Sequence, residues 1–458
     1  MWSFTIVRKL RCCNVIDSNY VGWGGRATMP AYERGAKHLV VNEKLKTVLK
    51  FMLQFSNCFT IYFNYMQNKK NNRIDFANTL RGFAALAVVI SHYYGVFWLR
   101  RPVVEVLTNS PVLPFETHPT PVYVSFINAF SLFDWGAYGV ALFFIISGFV
   151  IPFSLQKTSW LGFAINRVLR IVPTYIVGFS ITLIAVLISS HYFSRAWPFT
   201  TQEILIHYIP GVRDILWSRV IDGVVWTLEI EMKFYFVCAL LIALFRKKSI
   251  FVFFAPIFVF IVSVAINKHI PGWAETDARL WQLAMTFMTV SQYIIYMFIG
   301  VVFHYIQREQ MKRDNAYLLI GILFCLFCLH WYIGQSSDRI TVAWSYAFAL
   351  LTFTFAFTYQ SLFKSNKFFD FLADISYSLY VIHGVAGYAA LRILLDLGMK
   401  DWVSLLIVTS GCVLLSWILH KLVEKPSQRI GKKLAGRFIV KKDECSVNNE
   451  GPVSNLNK

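Results

Sequence analysis

Long apolar runs recur along the chain, and they constrain its fold more than any other feature. A helix needs about 20 apolar residues to cross a bilayer, and about ten segments meet that requirement. They are Leu80–Trp98, Gly136–Leu155, Ile171–Tyr192, Val224–Phe245, Ile250–Ile266, Leu280–Ile306, Ala316–Gly334, Ile340–Phe363, Ile375–Leu395 and Trp402–Leu419. Only 15% of the 458 residues are charged and 56% are hydrophobic, which leaves too little polar surface for a soluble protein. The sequence therefore predicts an all-α polytopic membrane protein with about ten transmembrane helices.

The basic residues orient these segments. If the connecting loops alternate between the two sides, 22 Lys and Arg fall on one side and nine on the other. Cytoplasmic loops carry such an excess, so both termini are predicted to be cytoplasmic, and the long loops 99–135 and 193–223 to face outward. The same rule explains the formal net charge of +19. We therefore expect the lipid bilayer as a partner and no nucleic acid.

The two ends of the chain differ from its apolar middle. Residues 1–65 contain nine Lys or Arg and lack the layout of a signal peptide. Met66, in MQNKKNNRID, begins a short basic lead into the first span. We therefore predict a basic N-terminal extension (1–65) that is dispensable or not translated, a membrane domain (66–435) and a polar cytoplasmic tail (436–458).

The eight cysteines do not indicate a disulfide framework. CLFC at Cys325–Cys328 has the spacing of a redox or metal motif, and His330 is close by. The motif lies within an apolar run without charged support, so we interpret these cysteines as small packing residues. No metal ion and no bound cofactor are expected.

Ionisable residues at membrane depth are costly, so each is a candidate functional residue. The run RGFAALAVVISH places Arg81 and His92 eleven residues apart. On a helix they would share one face, roughly 16 Å apart along its axis. The structural alternatives are an arginine that snorkels to the headgroups and a hydrogen-bonded core histidine.

A second candidate is FAINRVLRIVPTY, at the inner end of the third span. Arg167 and Arg170 are three residues apart and therefore neighbours on a helix. Two guanidinium groups in this arrangement can bind a phosphate bidentately. Anchoring of the helix at the cytoplasmic surface is the alternative.

A third candidate is VVWTLEIEMKFYF, which enters the membrane from outside. Glu229 and Lys233 are four residues apart and are predicted to neutralise each other. Glu231 has no obvious partner nearby in the sequence, so it could act as a general base or orient a histidine or an acceptor hydroxyl. Trp226 and Tyr235 are expected to flank an outward cavity, or to belong to the aromatic belt.

The fourth candidate is DISYSLYVIHG in the ninth span. His383 lies nine residues after Asp374 and is predicted to reach a depth similar to that of His92. Tyr380 lies one turn below His383. Core packing and catalysis both remain open for this histidine.

Together these motifs resemble the membrane-bound acyltransferase-3 family, whose members O-acylate sugars and other hydroxyl acceptors with acyl-CoA. The resemblance covers roughly residues 70–435, in the order of the family's motifs. The residues that carry it are Arg81 with His92, GVALFFIISGF (139–149), RVLRIVP (167–173), WTLEIEMKFY (226–235), SYSLYVIH (376–383) and LVEKPSQR (422–429).

The resemblance implies a role for each candidate. Arg167 and Arg170 would bind the CoA headgroup of the co-substrate acyl-CoA, expected to be acetyl-CoA, at the cytoplasmic face. His92 matches the family's essential histidine and would act as general base or carry the acyl group briefly, in either case as a neutral imidazole. The catalytic candidates are thus Arg81, His92 and Glu231. The candidates for the acceptor site or its support are Trp226, Glu229, Tyr235, Tyr380 and His383.

Two positions depart from the family's pattern. Ala141 stands where members often have an acidic residue, so any role of that carboxylate is absent. Asn166 replaces an arginine that commonly precedes Arg167, which could change the affinity for CoA. The chain also has no large C-terminal hydrolase-like domain, so the membrane domain would perform the transfer itself or rely on a separate partner.

These observations favour an integral-membrane O-acyltransferase, expected to be an O-acetyltransferase of the bacterial inner membrane that modifies a surface or lipid-linked glycan. The same chemistry on a small hydrophobic molecule or a glycolipid is an alternative. A transporter is the alternative from another class, but it predicts inverted repeats and interrupted helices, and the sequence indicates neither. A non-catalytic scaffold would leave the arginines and His92 without a use.

Overall fold

The computed structural model describes residues 75–130, 133–156, 158–334, 340–363 and 366–438. Helices joined by turns and loops make up these ranges, which confirms the all-α class for them. The predicted N-terminal extension (1–65) and the tail beyond residue 438 lie outside the described residues. The division into extension, membrane domain and tail stays a prediction.

The longer helices are labelled here in chain order. They are α1 (Asp75–Ser91), α2 (Trp135–Leu155), α3 (Trp160–Tyr192), α4 (Val225–Leu240), α5 (Phe254–Asn267), α6 (Ala278–Gln307), α7 (Arg313–Ile333), α8 (Ile340–Thr358), α9 (Lys367–Ile382), α10 (Val385–Asp396), α11 (Asp401–Leu419) and α12 (Lys425–Ala435). Shorter helices span Arg101–Thr108, Val122–Ile127, Thr201–His207, Ile242–Arg246 and Ile270–Thr276. A π-helical turn, His92–Val96, and a last helical turn, Phe97–Leu99, extend α1.

Seven helical segments of the described chain are long and apolar enough to cross a membrane, and the bent pair α9–α10 would make eight. These seven segments correspond to seven of the ten predicted spans. The tenth span is part of a longer segment that α11 and α12 form together. Helix α4 ends within the predicted fourth span, and α8 is a shorter apolar helix. The protein is thus a multi-pass helical protein, while the count of ten spans and the cytoplasmic location of both ends stay predictions.

The expectation of uninterrupted spans is wrong at the ninth one. Helices α9 and α10 differ in direction by 71° across a short break at His383 and Gly384. Gly384 has φ −63° and ψ −106°, outside the helical region, and glycine adopts such a conformation at little steric cost. The backbone conformation at this residue therefore turns one predicted span into two helices.

Helix α3 and the segment formed by α11 and α12 are longer than a bilayer requires. The 33 residues of α3 extend about 50 Å, whereas the hydrocarbon core is about 30 Å thick. The first turns of α3 pack against α12, where a Cβ at Gly431 would lie 3.1 Å from the Leu169 side chain. Helix α12 thereby supports the part of α3 that carries Arg167 and Arg170.

Helices α2 and α6 cross at two glycines. A Cβ on Gly148 would lie 1.9 Å from the carbonyl oxygen of Met297, and one on Gly300 would lie 2.2 Å from that of Ile145. No side chain fits at either position, so the two backbones touch directly. Close approach at small residues is a common way for membrane helices to associate.

We therefore predict that Gly148→Ala destabilises the protein by about 1–3 kcal/mol, because the added methyl group forces α2 away from α6. The measurement is thermal unfolding of the purified protein in detergent. Gly321→Ala on α7 is the matched control, since a Cβ there meets nothing within 4 Å. Equal melting temperatures for the two variants would contradict the close crossing.

Candidate active site

A cavity of about 190 Å³ lies between α1, α2, α3, α4 and α9. It is smaller than the roughly 300–1,000 Å³ of typical small-molecule sites, so it suits an extended chain better than a whole nucleotide. One part of its wall is polar and the other is apolar. The polar lining residues are Asn78, Arg81, Ser147, Arg167, Arg170, Thr227, Glu231, Tyr235, Ser376, Tyr377 and Tyr380, and the apolar ones are Val140, Phe143, Phe144, Ile146, Val150, Ile151, Ile171 and Leu228.

Three arginines converge on this cavity. The sequence predicts that Arg167 and Arg170 lie together, and both line the cavity. Arg167 packs over two aromatic rings that contact each other, and its guanidinium carbon is 5.3 Å from the ring centroids of both Phe163 and Tyr235. Arg81 joins them from α1, where its Nη2 lies 3.4 Å from Ser376 Oγ. The spacing in the sequence gave no indication that this arginine meets the other pair.

The carboxylate of Glu231 faces the same cavity. Its Oε1 accepts hydrogen bonds from Ser147 Oγ, 2.8 Å away, and from the hydroxyl of Tyr235. Tyr235 lies four residues along the helix, so the expectation that Glu231 has no partner nearby in the sequence is wrong. One carboxylate among three guanidinium groups leaves the lining net positive, and such a lining suits a phosphate or another anion.

The two aromatic residues predicted to flank an outward cavity separate in the structure. Tyr235 lines the cavity at the level of Arg167, towards the end that the charge distribution predicts to be cytoplasmic. Trp226 packs against Tyr293, with ring centroids 5.5 Å apart, and is not among the described residues that line the cavity. The expectation that both flank one cavity is therefore wrong, since they are nine positions apart on α4, which places them about 14 Å apart along the helix.

His92 begins the π-helical turn that follows α1. Its Nδ1 lies 2.6 Å from Tyr388 Oη, and its ring centroid lies 4.6 Å from that of His383. π-Helical turns within α-helices frequently mark functional sites, because the extra residue changes where side chains point. Here the turn brings His92 against the break between α9 and α10.

His383 lies at that break. Its Nδ1 is 2.8 Å from the carbonyl oxygen of Leu379, which can only accept, so Nδ1 carries the proton and Nε2 has a free lone pair. Nε2 is buried and has no hydrogen-bond partner among the described residues. Tyr93 Oη donates to the carbonyl oxygen of His383, 2.8 Å away. The Tyr93 hydroxyl fits only because residue 387 is glycine, since a Cβ on Gly387 would be 2.1 Å from Tyr93 Oη.

The predicted shared face of Arg81 and His92 is confirmed. Arg81 contacts α9 and His92 contacts the break and α10, so both side chains face the bent pair. They lie roughly 16 Å apart along the helix axis. Among the described residues that line the cavity, however, Arg81 is present and His92 is not. Tyr380 connects the two regions, because it lines the cavity and its ring centroid is 5.8 Å from that of His383.

The predicted pairing of Glu229 with Lys233 is wrong. Glu229 is 1% exposed and binds Arg213 through two hydrogen bonds, of 2.9 and 2.6 Å. Lys233 instead binds Asp214 at 2.8 Å. Both partners lie in the loop 193–223 before α4, so the loop is fixed to the helix by two adjacent ion pairs. Helical spacing alone could not show partners that a loop supplies.

Two buried carboxylates were missed from the sequence. Asp222 is 1% exposed, accepts from the backbone N–H of Val224 at 3.0 Å, and has a second oxygen without a partner among the described residues. Burial raises the pKa of Asp222, in the loop before α4, to about 7. Glu424 accepts from Ser378 Oγ at 2.7 Å and Gln428 Nε2 at 3.0 Å. In the sequence, the features that could have indicated these two residues are the single acid in VIDGVVW and the glutamate in LVEKPSQR.

The ion pairs of α4 can be distinguished by mutant cycles on the free energy of unfolding. We predict a coupling of about 1–3 kcal/mol between Arg213 and Glu229, because the pair is buried and bidentate. The matched cycle between Glu229 and Lys233 should give less than about 0.5 kcal/mol, as expected for residues without a direct ionic contact. A larger coupling in the second cycle would show that Glu229 does pair with Lys233 within α4.

Comparisons with known proteins agree with the resemblance of the motifs. The model of the acyltransferase domain family, acyltransferase-3, matches residues 74–421. Nodulation protein 10 of Rhizobium leguminosarum bv. viciae is 23% identical over 397 residues, which cover 79% of this chain and 95% of that protein. No solved structure matches the chain. Because the family match extends over most of the sequence and contains the cavity and both histidines, the chain belongs to the acyltransferase-3 family of membrane acyltransferases.

Proposed function

We propose that the protein transfers an acyl group, most simply acetyl, from cytoplasmic acyl-CoA to a hydroxyl of a surface or lipid-linked glycan in a bacterial inner membrane. One observation carries the proposal. A net positive cavity begins at Arg167 and Arg170, continues along an apolar wall, and ends at Tyr380, beside His383 and His92. The arginines proposed to bind phosphate thus line the cavity at one end, and the histidines lie just beyond its other end.

The dimensions of the cavity suit the arm of acyl-CoA. Its lining residues on α2 run from Val140 to Ile151, a length of about 16 Å along the helix. Arg167 and Arg170 would hold the phosphates through charge-assisted hydrogen bonds. The arm would then lie along α2, and the thioester would reach the level of Tyr380.

His92 is proposed as the general base. If Tyr388 Oη accepts the proton of His92 Nδ1, then His92 Nε2 keeps a lone pair and can take a proton from the acceptor hydroxyl. The acceptor oxygen then attacks the thioester carbonyl, the C–S bond breaks, and the proton passes to the departing thiolate. Alternatively, Nε2 attacks the thioester and carries the acyl group to the hydroxyl. Both routes need His92 in its neutral form.

The acceptor is proposed to approach from the outer side, where Glu229 fixes the loop before α4 and His383 faces His92. The length and polarity of the outer loops favour a glycan over a small hydrophobic molecule or glycolipid. The broken helix α9–α10 is the one feature that favours a transporter. Family membership outweighs it, because the break places His383 at a site already rich in acyltransferase motifs.

We predict that His92→Ala lowers acyl transfer by about 10²–10⁴-fold, the usual contribution of a positioned general base. Membranes would be supplied with labelled acetyl-CoA, and the label in extracted glycans and lipids would be counted. His269→Ala is the control, since this exposed histidine only stacks on Trp273 and should leave transfer unchanged. Equal labelling by His92→Ala and wild type, at equal protein levels, would remove His92 from the mechanism.

The fraction that gains label tests the acceptor. Label in a glycan or lipid-linked glycan supports the proposal, whereas label only in a small hydrophobic product favours the alternative acceptor. If no acyl-CoA of any chain length gives label that depends on His92, the transporter becomes the better interpretation.

Arg167→Ala combined with Arg170→Ala should weaken binding of acyl-CoA. Each charge-assisted contact contributes about 1.5–3 kcal/mol, so the pair should raise the Kd at least tenfold. Titration of the purified protein with acetyl-CoA measures this directly. Lys432→Ala with Lys433→Ala removes two charges from the exposed face of α12 and should leave the Kd unchanged. If both double variants bind equally well, Arg167 and Arg170 serve only to anchor α3.

A further inference from the structure

The cavity and the histidines are separated by two aromatic side chains. Phe143 on α2 and Tyr380 on α9 both line the cavity, and their rings meet edge to face with centroids 6.0 Å apart. Behind Tyr380, the ring of His383 lies 5.8 Å away, and His92 lies beyond it. Among the described residues, neither histidine lines the cavity. A thioester in the cavity therefore meets Phe143 and Tyr380 before it meets the base.

Tyr380 is the fixed half of this pair. Its hydroxyl lies 2.6 Å from Thr227 Oγ1 and 3.4 Å from the carbonyl oxygen of Val224. Both partners belong to the start of α4, and Val224 also packs against the break, since a Cβ on Gly384 would lie 3.3 Å from its side chain. Rotation of the Tyr380 side chain would break these hydrogen bonds inside the membrane, where no lipid group replaces them.

Phe143 is the movable half. Its side chain has no polar atoms, so no hydrogen bond holds its ring. It is only partly buried, and it packs against two large hydrophobic clusters. One contains residues of the cavity wall, and the other contains Tyr93 and Tyr388, which contact the two histidines. Its neighbour Phe144 differs, because it is 3% exposed and packs against Tyr293, with ring centroids 5.5 Å apart, away from Tyr380. A rotamer change of Phe143 would therefore open the wall at the smallest cost.

Such a wall has a chemical consequence. Water can enter a cavity that has charged and polar lining residues, but water attacks a thioester slowly unless a base removes its proton. The proposed base lies on the other side of Phe143 and Tyr380. While the wall is closed, the thioester and the base-activated nucleophile do not meet, so acyl-CoA is protected from hydrolysis.

We propose that Phe143 and Tyr380 form a gate that determines whether the acyl group goes to the acceptor hydroxyl rather than to water. The gate rests on the proposed function, because it presumes a thioester in the cavity and His92 as the base. Phe143 moves and Tyr380 is the surface against which it closes. In hydrolysis the water oxygen bonds to the carbonyl carbon, the C–S bond breaks, and the water proton passes through His92 to the thiolate.

The test uses purified full-length protein in lipid nanodiscs with acetyl-CoA and no acceptor, so that release of free CoA thiol reports hydrolysis. Phe143→Ala should raise this rate about tenfold or more over wild type, part of the roughly 10²–10⁴-fold that a positioned base supplies. Adding His92→Ala to Phe143→Ala should return the rate to that of wild type. Phe153→Ala is the matched control. This partly buried ring also lies on α2, but it packs against His304, with ring centroids 4.2 Å apart, and it is not among the described residues that line the cavity, so hydrolysis should be unchanged.

Phe143→Trp keeps the proposal testable if Phe143→Ala folds poorly. A larger ring should hold the gate closed, so transfer of label in native membranes should fall while thiol release without acceptor stays at the wild-type level. The proposal is overturned if folded Phe143→Ala hydrolyses acetyl-CoA no faster than Phe153→Ala, or if its extra hydrolysis survives the loss of His92.

Failure of the gate can be told from failure of the proposed function. If wild-type membranes transfer label in a manner that depends on His92, but Phe143→Ala leaves the ratio of hydrolysis to transfer unchanged, only the gate is wrong. If wild-type membranes show no such transfer with any acyl-CoA, the function and the gate are both wrong.

Discussion

Ionisable side chains at membrane depth need partners within the protein, because lipid supplies none. Three arginines line one cavity beside the carboxylate of Glu231, where Arg81 contacts Ser376 and Arg167 packs over two aromatic rings. One carboxylate does not balance three guanidinium groups, so the cavity remains positive and suited to an anionic ligand. Four of the few charged side chains within the helical bundle are therefore concentrated around this one cavity.

The break between α9 and α10 brings together the rest of the site. It ends α9 at His383, whose carbonyl oxygen accepts from Tyr93, and it turns α10 so that Tyr388 reaches His92. A continuous helix would carry His383 and Tyr388 along one axis, and the ring of His92 could not contact both. The backbone at Gly384 thus decides whether two separate core histidines become a pair.

Much of the fold and part of the site follow from local patterns. Apolar length predicts most of the spans, and helical periodicity predicts that Arg167 and Arg170 lie together and that Arg81 and His92 share a face. Periodicity fails where a loop competes with the helix. Glu229 binds Arg213 rather than Lys233, because the loop before α4 folds back and supplies a bidentate guanidinium that Lys233 cannot match.

The sequence by itself determined that this is a helical membrane protein and which faces carry its charged residues, because span length and the spacing of side chains on a helix are local properties. The tertiary structure alone decided which of these residues meet. His92 and Tyr388 are 296 positions apart in the chain, and only the packing of α1 against the bent pair brings them into contact. The placement of Arg81 with the other arginines, and of Phe143 and Tyr380 between cavity and histidines, likewise depends on how separate helices pack, which no local pattern specifies.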